Sequence, residues 1–280
     1  MFPVMSFSAQ DRNMTRSSSP PKALVTGASS GIGATYADRL AKRGHDLLLV
    51  ARDGMRLNAL AERLREETGV AVDILAVDLT NRFHLERVEQ HVAEDPTLRL
   101  LVNCAGLGSR GPMLSTGKAD IEAMASLNIT TLMFLTQAAA KAFAERGGGA
   151  IINIGSVVCL APEKFNALYA ASKAFVLALT QGLDKETRPY GIRLQAVLPG
   201  LTRTEIFERA GLDIDRLDPT MIMEAGELVD AALVGFDRGE LVTIPSLPDI
   251  GDWDAFEDAR RHLGPNLSRQ HPATRYGIEG

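Results

Sequence analysis

Between residues 22 and 244, short runs of continuous apolar residues alternate with longer stretches in which apolar positions recur every three or four residues. The short runs, at 23–26, 46–50, 72–77, 98–103, 150–154, 192–198 and 241–244, predict strands, and the stretches between them predict helices. Strict alternation of the two is the pattern of βαβ units. It predicts an α/β fold, a doubly wound parallel sheet in a single domain, with helices on both faces because such crossovers are right-handed. Gly44, Gly69 and the run Gly147, Gly148, Gly149 stand where helices should stop. The rhythm breaks at 201–225, where Phe207, Met221, Ile222 and Met223 lie among charges. A connection of that length predicts a substrate-binding lid. Residues 1–21 are polar and end in a Ser-Ser-Ser-Pro-Pro run, which predicts a disordered leader. The domain is expected to span 22–264, with Trp253 and Phe256 marking a last apolar helix and 265–280 a polar tail.

Composition narrows the partners. A chain of 280 residues that is 45% hydrophobic can bury one large core. Thirty basic against 35 acidic residues give a net charge of −5 without a dense basic block, which argues against nucleic acid and for a small-molecule or protein partner. Cys104 and Cys159 have no Cys or His at metal-ligand spacing, so no metal is expected and both read as reduced thiols of a cytoplasmic protein. The first twenty residues hold no apolar run of signal-peptide length; they are Ser-rich with arginines, but Asp11 and poor amphipathicity count against a transit peptide. No stretch reads as a membrane span, and no membrane partner is expected.

The first strand runs directly into Thr26, Gly27, Ala28, Ser29, Ser30, Gly31, Ile32 and Gly33, and then into a helix. Glycines there let the chain turn tightly and bring backbone N–H groups and the positive end of a helix against a pyrophosphate. The spacing, Thr-Gly-x-x-x-Gly-x-Gly, resembles that of the short-chain dehydrogenase/reductase family, and the resemblance extends from about residue 22 to the strand at 244. It implies a Rossmann fold and cofactor contacts from Gly27, Ser29, Ser30, Gly31, Ile32 and Gly33. At the end of the second strand, Ala51 stands where the resemblance puts the acid that holds an NAD ribose. Arg52 follows, a guanidinium able to grip a 2′-phosphate. The charge there favours NADP(H) over NAD(H), with Asp53 reading as the cap of the next helix.

The resemblance also implies that Asp78 meets the adenine, with Leu79 beside it a cofactor-binding candidate. Asn103, Cys104, Ala105 and Gly106 resemble the family's Asn-Asn-Ala-Gly turn, with Cys104 in place of the second Asn; Asn103, Ala105 and Gly106 are cofactor-binding candidates. Pro199, Gly200, Thr202 and Thr204 resemble the turn that contacts the nicotinamide carboxamide.

Tyr169 and Lys173 share one helix face at i and i+4. A helix surface carries such a pair often, but a nearby ammonium and a cationic nicotinamide ring would favour the phenolate and make Tyr169 a general acid/base. Ser156, thirteen positions earlier at a strand end, supports the chemical reading: its hydroxyl can bond a substrate oxygen. Asn128 lies inside an apolar helix, where an amide needs partners. It matches the family's fourth catalytic position, which implies that it holds a water leading to Lys173; Tyr169 and Lys173 are cofactor contacts as well. The expected activity is hydride transfer between NADP(H) and a carbonyl or secondary alcohol. Alternatives are a 3-oxoacyl-thioester reductase and a non-catalytic NADP(H)-binding regulator. Arg203 and Arg209 could meet an acidic substrate group or stay solvated. The apolar helices at 130–145 and 167–188, with the resemblance, imply a homodimer or homotetramer.

Overall fold

The structure is a computed structural model and describes residues 20–109, 111–206 and 213–278. The expected leader lies outside the described residues except for Pro20 and Pro21, and Phe207 and Arg209 lie outside them too. The chain divides into two compact units, one ending at Pro245 and one beginning at Ser246. The expected domain boundary at 264 falls later in the chain.

The first unit is built on a parallel sheet of seven strands in the order β3-β2-β1-β4-β5-β6-β9. They are β1 (Lys22–Thr26), β2 (Asp46–Ala51), β3 (Val72–Ala76), β4 (Leu98–Asn103), β5 (Gly149–Ile154), β6 (Ile192–Val197) and β9 (Val242–Thr243). The helices are α1 (Gly31–Lys42), α2 (Gly54–Thr68), α3 (Arg82–Glu94), α4 (Lys118–Ala125), α5 (Leu132–Glu145), α6 (Ala167–Thr187) and α7 (Ala225–Arg238).

The continuous apolar runs are explained by burial on both faces. Ala23, Val25, Leu47, Leu49, Leu100, Val102, Ala150 and Ile152 point to one core with Tyr36, Leu40, Leu57 and Leu64 of α1 and α2 and Leu228 and Val229 of α7. Their neighbours Leu24, Leu48, Leu101 and Ile151 point to the other, with Leu85 and Val88 of α3 and Leu135 and Phe143 of α5. Period-two alternation thus divides each strand between two apolar layers. Emptying one such site, as in Leu101→Ala, costs about 2–5 kcal/mol.

Strand order reverses between β1 and β4, which opens a crevice at the carboxyl ends of those strands. Between α4 and α5 the chain makes one wide turn, Ser126–Thr131, so that 118–145 is a continuous helix of 28 residues. This corrects the expectation that no stretch has the length of a membrane span: by length and composition this helix passes. Its α5 half, however, sends Leu135, Ala139 and Phe143 into the core beneath the sheet.

The expected lid is framed by a separate parallel pair, β7 (Thr202–Arg203) with β8 (Met223–Glu224). Arg203 is exposed there and ion-paired on the surface, with Asp215 at 2.8 Å and Glu224 at 2.9 Å. The second unit holds α8 (Ile250–His262), capped by Asp249, with Trp253 stacked on Phe256 at 5.5 Å. Exposed single turns at Gly264–Asn266 and Thr274–Tyr276 follow.

Candidate active site

The turn after β1 requires its glycines. Gly27 and Gly31 have φ of +67° and +51°, a region that side chains disfavour. A Cβ on Gly33 would lie 2.3 Å from the carbonyl oxygen of Gly27, and one on Gly27 would lie 2.9 Å from the Ala105 backbone. The turn is therefore a cradle kept open by missing side chains. Ser30 is the N-cap of α1 with its hydroxyl uncommitted to the cap, so the first-turn N–H groups and the hydroxyl remain for a phosphate. The residues at this crevice fit a dinucleotide. Thr26 ties its two walls: its hydroxyl donates to Val102 O and accepts from the backbone N–H groups of Cys104 and Ala105.

At the end of β2, Asp53 accepts from the Arg56 N–H at 3.0 Å and so caps α2, as the sequence predicts. Arg52 is exposed and has no ion-pair partner among the described residues. Asp78 is held below the usual carboxylate range: burial opposes its charge, but the Thr80 N–H and hydroxyl bond it, and Arg52 and His84 add attraction. Leu79 is buried, and its carbonyl accepts from Thr131.

Asn103 departs from expectation. Its amide nitrogen donates to Asn153 at 2.9 Å and to Thr136 at 3.0 Å, inside the sheet, so its side chain is not presented to the crevice. Asn153 in turn donates to Thr180 at 3.0 Å. This buried amide chain locks β4, β5, α5 and α6 into register beneath the site. Sequence reasoning missed Asn153, although an amide within Ile151, Ile152 and Ile154 is the same signal that exposed Asn128.

Tyr169, Ser156 and Lys173 converge at the end of β5. Asn166 caps α6 by accepting from the Tyr169 N–H at 3.0 Å, which sets the helix start and therefore the position of the phenol. The Ser156 hydroxyl lies beside the phenol and eases its ionisation, and it donates to Pro199 O at 3.3 Å. Burial pushes the phenol up to about 12, with Ser156 working the other way. Within the chain itself Tyr169 therefore stays protonated at neutral pH, and the preference for phenolate that the sequence analysis expects does not arise from these residues alone.

Lys173 is buried; its ammonium donates to Ile154 O at 2.9 Å and lies 5.7 Å from the centre of the Tyr169 ring. Burial pulls it down to about 8, while Cys104 and Cys159 act in the opposite direction. Burial likewise pushes the Cys104 thiol up to about 12, an inert apolar filler at the family's second Asn position.

Asn128 sits in the wide turn between α4 and α5, and its amide is spent within the chain. It accepts from the Leu107 N–H at 2.8 Å and donates to Leu107 O and the Ser172 hydroxyl. It thus clamps the loop after β4. A Cβ on Gly106 would come within 3.3 Å of Asn128 Oδ1 and 3.7 Å of Lys173 Nζ, so this small residue leaves both groups room.

On the opposite wall, the Thr202 hydroxyl donates to Gly200 O and Thr204 to Thr202 O. The Thr204 methyl faces Gly31, 3.0 Å from where a Cβ would stand. Around the loops after β4 and β5, Met113, Leu114 and Phe165 are exposed, and Leu217 and Met221 are exposed in the lid.

Comparison with known proteins agrees with this geometry. Residues 21–214 match the family model described as short chain dehydrogenase. A short-chain dehydrogenase from Sphingobium yanoikuyae, solved in complex with NADPH, is 53% identical with a TM-score of 0.89, covering 91% of this chain and 100% of that one. The bulky-bulky ketone specific alcohol dehydrogenase from Comamonas testosteroni is 47% identical with a TM-score of 0.85, covering 91% and 98%. A very-long-chain 3-oxoacyl-CoA reductase from Anas platyrhynchos is 31% identical over 207 residues, 72% of this chain and 66% of that protein.

Proposed function

Because the chain belongs to the short-chain dehydrogenase/reductase family of oxidoreductases, we propose that it is an NADP(H)-dependent carbonyl reductase or alcohol dehydrogenase acting on ketones with a bulky apolar group on each side. The observation that carries the reading is the convergence of Tyr169, Ser156 and Lys173 beside a glycine cradle. The apolar rim at Met113, Leu114, Phe165 and Met221 supports the substrate class, as does similarity to an enzyme specific for such ketones.

Gly27, Ser29, Ser30, Gly31, Ile32 and Gly33 would hold the pyrophosphate of the cofactor, and Asp78, Leu79, Ala105 and Gly106 its adenosine half. Arg52 would hold the 2′-phosphate, and Pro199, Gly200, Thr202 and Thr204 the carboxamide. When bound, the nicotinamide supplies or accepts the hydride. The chain's own residues manage the proton. Ser156 orients the substrate oxygen and Tyr169, protonated at neutral pH, donates to it as negative charge develops. In oxidation the proton of the alcohol passes to the Tyr169 phenolate, the form that the Lys173 ammonium stabilises. The Lys173 ammonium, still mostly charged at pH 7, stabilises the phenolate left behind, and Asn128 fixes the loop that walls it in. We also propose self-association as a homodimer or homotetramer through α5 and α6, where Phe134 and Ala138 stay partly exposed.

The test is NADPH consumption with a panel of ketones graded in size on both sides, with Tyr169→Phe as control. Turnover of diaryl or long dialkyl ketones that vanishes in the variant is expected; NADPH binding without turnover of any carbonyl would overturn the enzyme reading.

A further inference from the structure

One ion pair crosses the cofactor crevice, and the chemistry assigned to the site so far does not use it. Arg56, in the first turn of α2, donates through Nη1 to both carboxylate oxygens of Glu205, at 2.6 and 2.8 Å. Glu205 immediately follows Thr204, whose methyl lies over Gly31 of the phosphate turn. The pair therefore joins the helix next to Arg52 to the chain segment that roofs the pyrophosphate cradle. Asp53 holds Arg56 from the other side, with its cap bond to the backbone and a 3.4 Å contact to Nε. Arg56 is thus aimed and half-exposed, four positions from Arg52, at the end of the crevice where an adenosine ribose would lie.

A guanidinium exchanges a carboxylate for a phosphate readily, because both present paired oxygens to its fork. We propose that Glu205 is a tethered competitor for the 2′-phosphate of NADP(H): it occupies Arg56 in the cofactor-free chain and gives it up to the incoming phosphate. NAD(H), with a hydroxyl in place of that phosphate, cannot displace it. Arg56 and Glu205 together would then set the discrimination between the two cofactors, with Arg52 the uncontested half of the phosphate site. This inference rests on the NADP(H) reading above.

The proposal is tested by binding rather than turnover, titrating the full chain with 2′,5′-ADP and with 5′-ADP by calorimetry at fixed salt. Glu205→Gln keeps the shape of a half-exposed side chain and removes only its charge. It should bind 2′,5′-ADP about fivefold tighter, matching the loss of one exposed ion pair, with 5′-ADP unchanged. Arg56→Gln should weaken 2′,5′-ADP about tenfold and again leave 5′-ADP alone. Weaker binding of both nucleotides by Glu205→Gln would mean that the pair persists as a clamp, and would overturn the competition; so would unchanged 2′,5′-ADP affinity in either variant. A wild-type chain that binds 2′,5′-ADP no tighter than 5′-ADP would sink the NADP(H) reading itself, a result distinct from failure of the Glu205 arm alone.

Discussion

The two ends of the parallel sheet are made of the same strands and helices, yet they do opposite things with charge. At the carboxyl end, helix N-termini point into the crevice, and the groups there are held at a cost: a buried ammonium, a partly buried phenol that desolvation pushes up, and two glycines at positive φ. At the amino end, helix C-termini present carbonyl groups, and arginines are spent on them. Arg146 donates to Val92 O at 2.9 Å, Ala93 O at 2.6 Å and Leu98 O at 3.4 Å, while Arg99 donates to Arg146 O and Gly148 O. A groove of about 550 Å³ opens at this end between Arg43, Arg99, Arg146 and Arg193. Its cations are already committed: Arg99 and Arg146 to backbone carbonyls, Arg43 to Asp237 and Arg193 to the Phe236 ring. Space and positive charge are therefore not enough to mark a site; what matters is whether the polar groups are left unspent.

This contrast can be broken from either end. The largest effect should come from Tyr169→Phe, with kcat/KM down about 10³-fold, the unfolding midpoint unchanged or higher, read by ketone reduction and urea titration. Next, Gly33→Ala forces a methyl against Gly27 O and should abolish measurable NADPH binding by fluorescence titration while costing about 3 kcal/mol of stability. Arg146→Met should do the reverse. Three carbonyls lose a charged donor, so stability should fall by about 2 kcal/mol in urea while kcat/KM changes less than about twofold. Activity loss in a still-folded Arg146→Met protein would mean that the two ends are coupled and the contrast is false.

The smallest effect is a pH signature of Lys173. Burial brings its folded value to about 8, below its ordinary 10.5. Below about pH 8 both folded and unfolded chains carry the proton, and the folded chain bears the full cost of the buried charge. Between about 8 and 10.5 only the unfolded chain holds the proton, so stability rises with pH. Lys173→Met lacks this dependence. It should be more stable than the wild type by about 2 kcal/mol at pH 6–7, with the gap closing as pH climbs through 8 to 10.5. Urea denaturation of both proteins across that range measures it.

The sequence was most readable where local rules govern. β4 begins and ends at 98 and 103 as expected, Asp53 caps α2, and the phosphate turn follows β1 directly. The same holds for Ser156, Tyr169 and Lys173, whose spacing carries them to one place. What stayed hidden depends on contacts between distant residues. Nothing local to Asn103 says that its amide turns into the sheet to meet Asn153, 50 positions on. The wide turn at Ser126–Thr131 shifts helical phase by one residue, too little to show in an apolar pattern, and it is what joined α4 and α5 into an unexpectedly long helix. Arg146 reads as a surface charge until α3 and β4 arrive to receive it.

The amide chain from Thr136 through Asn103 and Asn153 to Thr180 also bears on how this protein can change over generations. Each member satisfies a neighbour, so replacing one by an apolar residue strands a buried donor or acceptor at a cost of about 1–3 kcal/mol, a large part of a typical domain's margin. Replacing all at once would cost far less, but single steps do not reach that state. Drift should therefore pass around these four positions and accumulate in the lid and rim, where substrate preference can be rewritten without disturbing the frame beneath.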